Sequence, residues 1–166
     1  VVICRKKQKQ CLSNELDAGD CWIALSLAVS SGLILSGRVG KHTDELAQEL
    51  VVSTEGKTKC KAWDTDGWGG YERVLPDEVD DCISKTLTQR LERTNGIVRQ
   101  QTGRWHRQQN KFGKVWSQTL VTLRLVVSYF NWIWQNSHLR TTAAQRAELA
   151  AQPWTWHDLA TYPTLC

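Results

Sequence analysis

Methionine is absent from all 166 residues, and the chain opens Val1-Val2-Ile3-Cys4. Translation begins with methionine, so the reading is a fragment, or a start at an unusual codon. No stretch offers the roughly 20 predominantly apolar, uncharged residues that a membrane-spanning helix needs. The nearest approach, VWSQTLVTLRLVVSYFNWIWQN, is interrupted by Gln118, Arg124 and Asn131, and reads as a buried helix. The six cysteines, at 4, 11, 21, 60, 82 and 166, form no C-x-x-C pair, which argues against a zinc site or a thiol redox motif. With no signal peptide to be found, they predict free thiols in a reducing cytoplasm. No glycine-rich phosphate loop, Ser/His/Asp pattern, internal repeat or low-complexity linker is present either.

What remains is a globular composition, 41% hydrophobic and 23% charged, of a length that suits one domain with a real core. The net charge of +4 is modest but unevenly placed. Arg5-Lys6-Lys7 with Lys9 form one basic run. Residues 90–114 hold Arg90, Arg93, Arg99, Arg104, Arg107, Lys111 and Lys114 against the single acid Glu92. Interleaved with Trp105, His106 and several glutamines, this stretch suits contact with a nucleic-acid backbone; composition alone leaves a solvated helix face equally open. Neutralising about six phosphates would give a log-affinity against log-salt slope near −5.

Local patterns predict the elements. CWIALSLAV (21–29), the turn Ser30-Ser31-Gly32 and LILSGRV form a β-hairpin. KHTDELAQELVVS follows as a helix packed on the hairpin, with Thr43 as N-cap, acids in the first turn and Leu46, Ala47 and Leu50 at helical spacing. KTKCKAW is a short strand leading to Asp64 and Asp66, and YERVLPDE closes at Pro76. Residues 88–102 predict a helix capped by Thr88, although Gly96 costs about 1 kcal/mol relative to alanine there. Positions 116, 120, 123, 127, 130 and 134 set one apolar stripe facing a core. In the tail, AAQRAELAAQ is a short helix ending before Pro153, and WTWHDL an aromatic clamp folded back on the body.

The stretch AWDTDGWGGY (62–71) concentrates acids, tryptophans and glycines at the end of a strand. Hard divalent cations such as Mg²⁺ take oxygen ligands, and two of them about 3.5–4 Å apart can clamp the attacking and leaving oxygens of a phosphodiester. Asp66 and Glu92, carried on different elements, are candidates for such a site. An arbitrary Asp/Glu pair is ordinarily solvated surface charge, but a lone acid among seven cationic side chains suits a metal ligand within a phosphate-binding surface. His42, His138 and His157 lack metal-ligand spacing and read as structural.

TDGWGGYERVLP and LERTNGIVRQQTGRWHR together resemble two linked motifs of the insertion-sequence-one family, a branch of the DDE transposases with an RNase H-like fold. The resemblance runs from about Gly19 to the C terminus and implies an α/β fold with a mixed sheet flanked by helices. It implies catalytic and metal-ligating roles for Asp66 and Glu92, DNA contacts from Arg93, Arg99, Arg104, Arg107 and Lys111, and Asn95 orienting the site. Implied with these are two Mg²⁺ or Mn²⁺ ions in the intact enzyme, DNA ends and target DNA as partners, a homo-oligomer, and a prokaryotic, nucleoid-associated setting. The family's first catalytic aspartate lies on the first strand, of which Val1 to Cys4 resembles a remnant without the acid; Asp17 and Asp20 are poorly placed to replace it. The expectation is therefore a catalytic core over 1–114, a helical extension of the same domain over 115–166, and little or no activity from this chain alone. The rival expectation is a non-catalytic DNA-binding or dimerisation remnant of a decayed transposase.

Overall fold

The computed structural model describes residues 2–4, 8–12, 15, 18–103, 105 and 115–162. In chain order its strands are β1 (Val2–Cys4), β2 (Gly19–Leu27), β3 (Ile34–Gly40), β4 (Ala62–Thr65) and β5 (Asp80–Ile83). Its helices are α1 (Asp44–Glu55), α2 (Gly69–Val74), α3 (Lys85–Thr102), α4 (Trp116–Ser128), α5 (Ala143–Arg146) and α6 (Trp156–Thr161). Among the described residues the strands form an antiparallel trio, β1-β2-β3, and a separate parallel pair, β4-β5. The architecture is mixed α/β, and among the described residues no helix is long and apolar enough to cross a membrane.

The hairpin turns at Ser30-Ser31-Gly32, where Gly32 takes a φ of +74° that side-chain-bearing residues rarely adopt. Strand alternation, together with a register shift in β3 opposite Ser26 and Leu27 that puts Ile34 and Ser36 on different faces, gives the hairpin two different faces. Cys21, Leu25 and Ile34 enter a core with Val98 of α3, Trp105, Leu123 of α4 and Phe130. Ser26 and Ser36 meet α1, where Ser26 Oγ and Thr54 Oγ1 lie 2.7 Å apart and Ser36 Oγ donates to Ser53 Oγ at 2.9 Å. Helix α1 buries Leu46, Ala47, Leu50, Val51 and Thr54, one face of a 3.6-residue repeat. Thr43 precedes it as N-cap in extended backbone, but its side chain accepts no cap hydrogen bond.

Three expectations need correction. Residues 80–83 form a strand the pattern did not announce, because its exposed and half-buried residues, Asp80, Asp81, Cys82 and Ile83, carry no apolar alternation. That strand ends at Ile83, so α3 begins earlier than expected: Ser84 caps it by accepting from the Thr86 N–H at 3.2 Å, and Thr88 is buried inside the helix. The long apolar run stays α-helical only to Ser128 and closes in a π-helical turn over Tyr129–Ile133.

Asn131, which breaks the apolar stripe, has a tertiary reason for being there. Its buried amide accepts from the Ile34 N–H and donates to the Ile34 carbonyl, both at 2.9 Å, pairing with β3 as another strand would. The tail helix is a single turn, α5, closed by a capping box between Thr142 and Gln145. Beyond it the aromatic clamp is present: Trp154 packs on Trp132 with centroids 4.4 Å apart, Trp156 stacks on Tyr129 at 5.4 Å, and Tyr162 leans on Trp154.

Candidate active site

Strand β4 delivers Asp64, half-buried, and Thr65, buried, and the chain leaves the strand at Asp66, whose side chain is exposed. Gly67 makes the exit possible with a φ of +78°, and a Cβ there would sit 2.9 Å from the Ile83 methyl. Two hydrogen bonds fix the turn. The Trp68 N–H donates to Asp66 Oδ1 at 3.2 Å, and the Gly67 N–H donates to Thr65 Oγ1 at 3.4 Å. Thr65 in turn donates its hydroxyl to Asp81 Oδ1 on β5 at 2.7 Å, so the second strand holds the turn that presents Asp66.

Helix α3 supplies the other wall. Its inner face buries Thr94 and Val98, while Thr88, Glu92, Asn95 and Arg99 fall together on another face at i, i+4, i+7 and i+11, with Arg93 a quarter-turn from Glu92. Arg90, two residues before Glu92, locks the helix to the hairpin by donating to the Val29 carbonyl. From α5, Arg146 donates to the neighbouring Ser31 carbonyl at 2.7 Å.

These elements enclose a cavity of about 230 Å³. Leu25–Leu27 of β2, Asp64 and Asp66 at the end of β4, and Glu92 and Asn95 of α3 all line it. Tyr71 of α2 lines it too, and its hydroxyl is held protonated beyond the ordinary phenol range by burial, then by the charges of Asp66 and Asp81. Cys60, also on the wall, has its thiol pushed up to about 11 by burial and by Glu55, so it stays neutral at pH 7 and offers no thiolate. The groups left to hold a cation are oxygens.

Asp66, Glu92 and Asn95 thus share one cavity although the two acids are far apart in the chain. Arg93 and Arg99 are exposed on α3 and do not line it. Arg104, Arg107, Lys111 and Asp17 lie outside the described residues. Asp20 is engaged on β2, its N–H donating to Gln8 Oε1, and does not line the cavity. Among the described residues no three His, Cys, Asp or Glu side chains gather closely enough to hold a metal ion. Sequence reasoning missed Asp81, whose support of Thr65 carries no local signal.

A sequence model of the family described as IS1 transposase matches residues 1–131. The chain belongs to the IS1 transposase family. Both acids, Asn95 and the arginines of α3 lie within the IS1 transposase match, which ends at Asn131; Arg146 and the aromatic clamp lie beyond it. Among solved structures, the chain resembles one in the cryo-electron microscopy structure of the simian T-cell lymphotropic virus intasome in complex with PP2A regulatory subunit B56 gamma. The TM-score is 0.58 at 14% identity, over 93% of this chain and 61% of that one, a likeness of fold. No curated protein sequence matches.

Proposed function

We propose that this chain is an RNase H-like catalytic part of a DDE transposase, built to act on phosphodiester bonds of DNA. One observation carries the reading: Asp66 from the end of β4 and Glu92 from α3 open into the same cavity, with Asn95 one helical turn from Glu92. The combination of antiparallel and parallel pairing, the flanking helices and the likeness to a chain in a viral intasome structure support the RNase H-like assignment. Leu123 and Phe130 share the core with the hairpin, which supports treating 115–166 as an extension of the domain formed by 1–114.

The donor set fits a hard cation in kind: Asp64, Asp66 and Glu92 line the cavity as carboxylates, the one cationic group among the described lining residues, Arg90, is engaged with the Val29 carbonyl, and the neighbouring cysteine is a neutral thiol. It fits one Mg²⁺ or Mn²⁺ held by Asp66 and Glu92. A two-ion arrangement needs a further carboxylate, and the described residues gather no such trio. When bound, the ion would supply Lewis-acid polarisation of a phosphoryl oxygen. The chain's own residues do the rest: Asn95 orients the group beside Glu92, and Arg93, Arg99, Arg104, Arg107 and Lys111 hold backbone phosphates of element-end and target DNA. The 166-residue chain by itself is inactive or nearly so in strand transfer, and acts within a homo-oligomer bound to the nucleoid.

Titration with Mn²⁺, followed by the spin resonance of the free ion, tests the site. One weakly bound ion is expected, lost in Asp66→Ala and in Glu92→Ala. A strand-transfer assay on end-containing DNA completes the test, and robust turnover by this chain would overturn the claim of inactivity. The lack of a three-acid cluster favours a second reading, a non-catalytic DNA-binding or dimerisation remnant. That reading expects salt-dependent DNA binding with no Asp66-dependent ion.

A further inference from the structure

We infer that His42 is a positioning residue for Asp66, acting through a column of stacked rings that fixes the Trp68 amide; this rests on the reading of Asp66 as a metal ligand. His42 lies in the loop before α1, exposed at its edges and covered on both faces. Its ring stacks on Trp22 of β2 at 4.2 Å and 25°, and on Trp68 at 4.2 Å and 28°. Trp68 meets Tyr71 edge-on, at 5.5 Å and 89°. The indole also folds over Gly70, where a Cβ would come within 2.4 Å of the ring carbons, so that only glycine leaves room for it.

The consequence for Asp66 comes through the backbone. Trp68 is the residue whose N–H donates to Asp66 Oδ1, so the indole's orientation and the amide's orientation are set together. The Asp66 side chain is exposed and has little packing to select its rotamer. Its direction therefore depends on the amide, and the amide on the column. At the far end of the column Tyr71 lies close enough to Asp66 and Asp81 for their charges to raise its hydroxyl's pKa, so the rings reach the acid from two sides. Packing that locks the supports of a ligating group is what holds a site to its working geometry.

The full chain is compared as wild type, His42→Ala and His42→Phe, the last preserving a stackable ring. Amide exchange read by NMR gives the Trp68 N–H directly, with the Leu50 amide of α1 as a check on the core. In His42→Ala, Trp68 exchange should accelerate and Mn²⁺ affinity should fall, each by about tenfold, with Leu50 protection unchanged. His42→Phe should stay near wild type in both. Wild-type Trp68 exchange and Mn²⁺ affinity in His42→Ala would overturn the inference, as would a Phe variant as impaired as the Ala variant. Should His42→Ala lose Leu50 protection, the Phe variant decides: near-wild-type values support the column and loss overturns it. If the wild type binds no Mn²⁺ through Asp66, the metal reading fails, while Trp68 exchange still decides the column.

Discussion

The β1–β3 sheet places Cys21, Leu25 and Ile34 in the core cluster with Val98, Leu123 and Phe130, whereas the β4–β5 pair places no residue there. Along β4 and β5 the side chains are exposed or half-buried apart from Thr65, and Ile83 is 66% exposed. The first region is held by apolar burial, a non-directional force that tolerates no gap. The second is held by directional contacts: Thr65 to Asp81, the Trp68 amide to Asp66, and the ring column from Trp22 to Tyr71. Asp66 stands at the end of β4 in the hydrogen-bonded half, whereas Glu92 is carried by α3, which packs Val98 into the core.

The largest effect should come from breaking the packed half. Leu123, 2% exposed, should cost about 3 kcal/mol of unfolding free energy when replaced by alanine, as core truncations do. The same change at Ile83 should stay within about 0.5 kcal/mol, as surface substitutions do. Paired urea unfolding curves measure both, and equal losses would erase the contrast between the regions.

A smaller effect should follow in the polar half. Thr65→Val keeps the volume but removes the donor to Asp81 and the acceptor for Gly67, at a cost of about 1–2 kcal/mol. Exchange of the Gly67 amide should accelerate more than that of Leu50, and a uniform change across the chain would mean that the turn is not held locally.

The smallest change sharpens the role of α3, which serves both halves. A Cβ on Gly96 would meet nothing within 4 Å, so Gly96→Ala should stabilise the protein by about 0.5–1 kcal/mol. Thermal unfolding reads this as a rise in Tm, with Mn²⁺ affinity unchanged because Gly96 does not line the cavity.

How much was legible depended on whether the signal was local. The hairpin, α1 and the stripe through Leu123 and Phe130 could be read because turn chemistry and period lie within a dozen residues of one another, whereas the strand expected over KTKCKAW shares only Ala62 and Trp63 with β4 (Ala62–Thr65). Strand β5 could not, since its exposed and half-buried residues Asp80, Asp81, Cys82 and Ile83 show no alternation. The N-cap of α3 was misplaced by one helical turn: Ser84 and Thr88 are both suitable caps, and only the end of β5 selects the first. At the cavity, Asp66 and Glu92 were singled out through their linked motifs, and both line it. The hydrogen bond from Thr65 to Asp81 and the stacking of His42 on Trp68 span separate elements and leave no trace in spacing.

By itself the sequence determined the helix and strand periods, the basic stretch around Glu92, and the two motifs that carry the family, because these depend on neighbours along the chain. Tertiary structure alone decided that Asp66 and Glu92 face one cavity, that Asn131 completes the edge of β3, and that His42 is enclosed between Trp22 and Trp68. Each of these rests on contacts between residues distant in sequence. Their geometry comes into being only when the packed half of the molecule has fixed where the open half can stand.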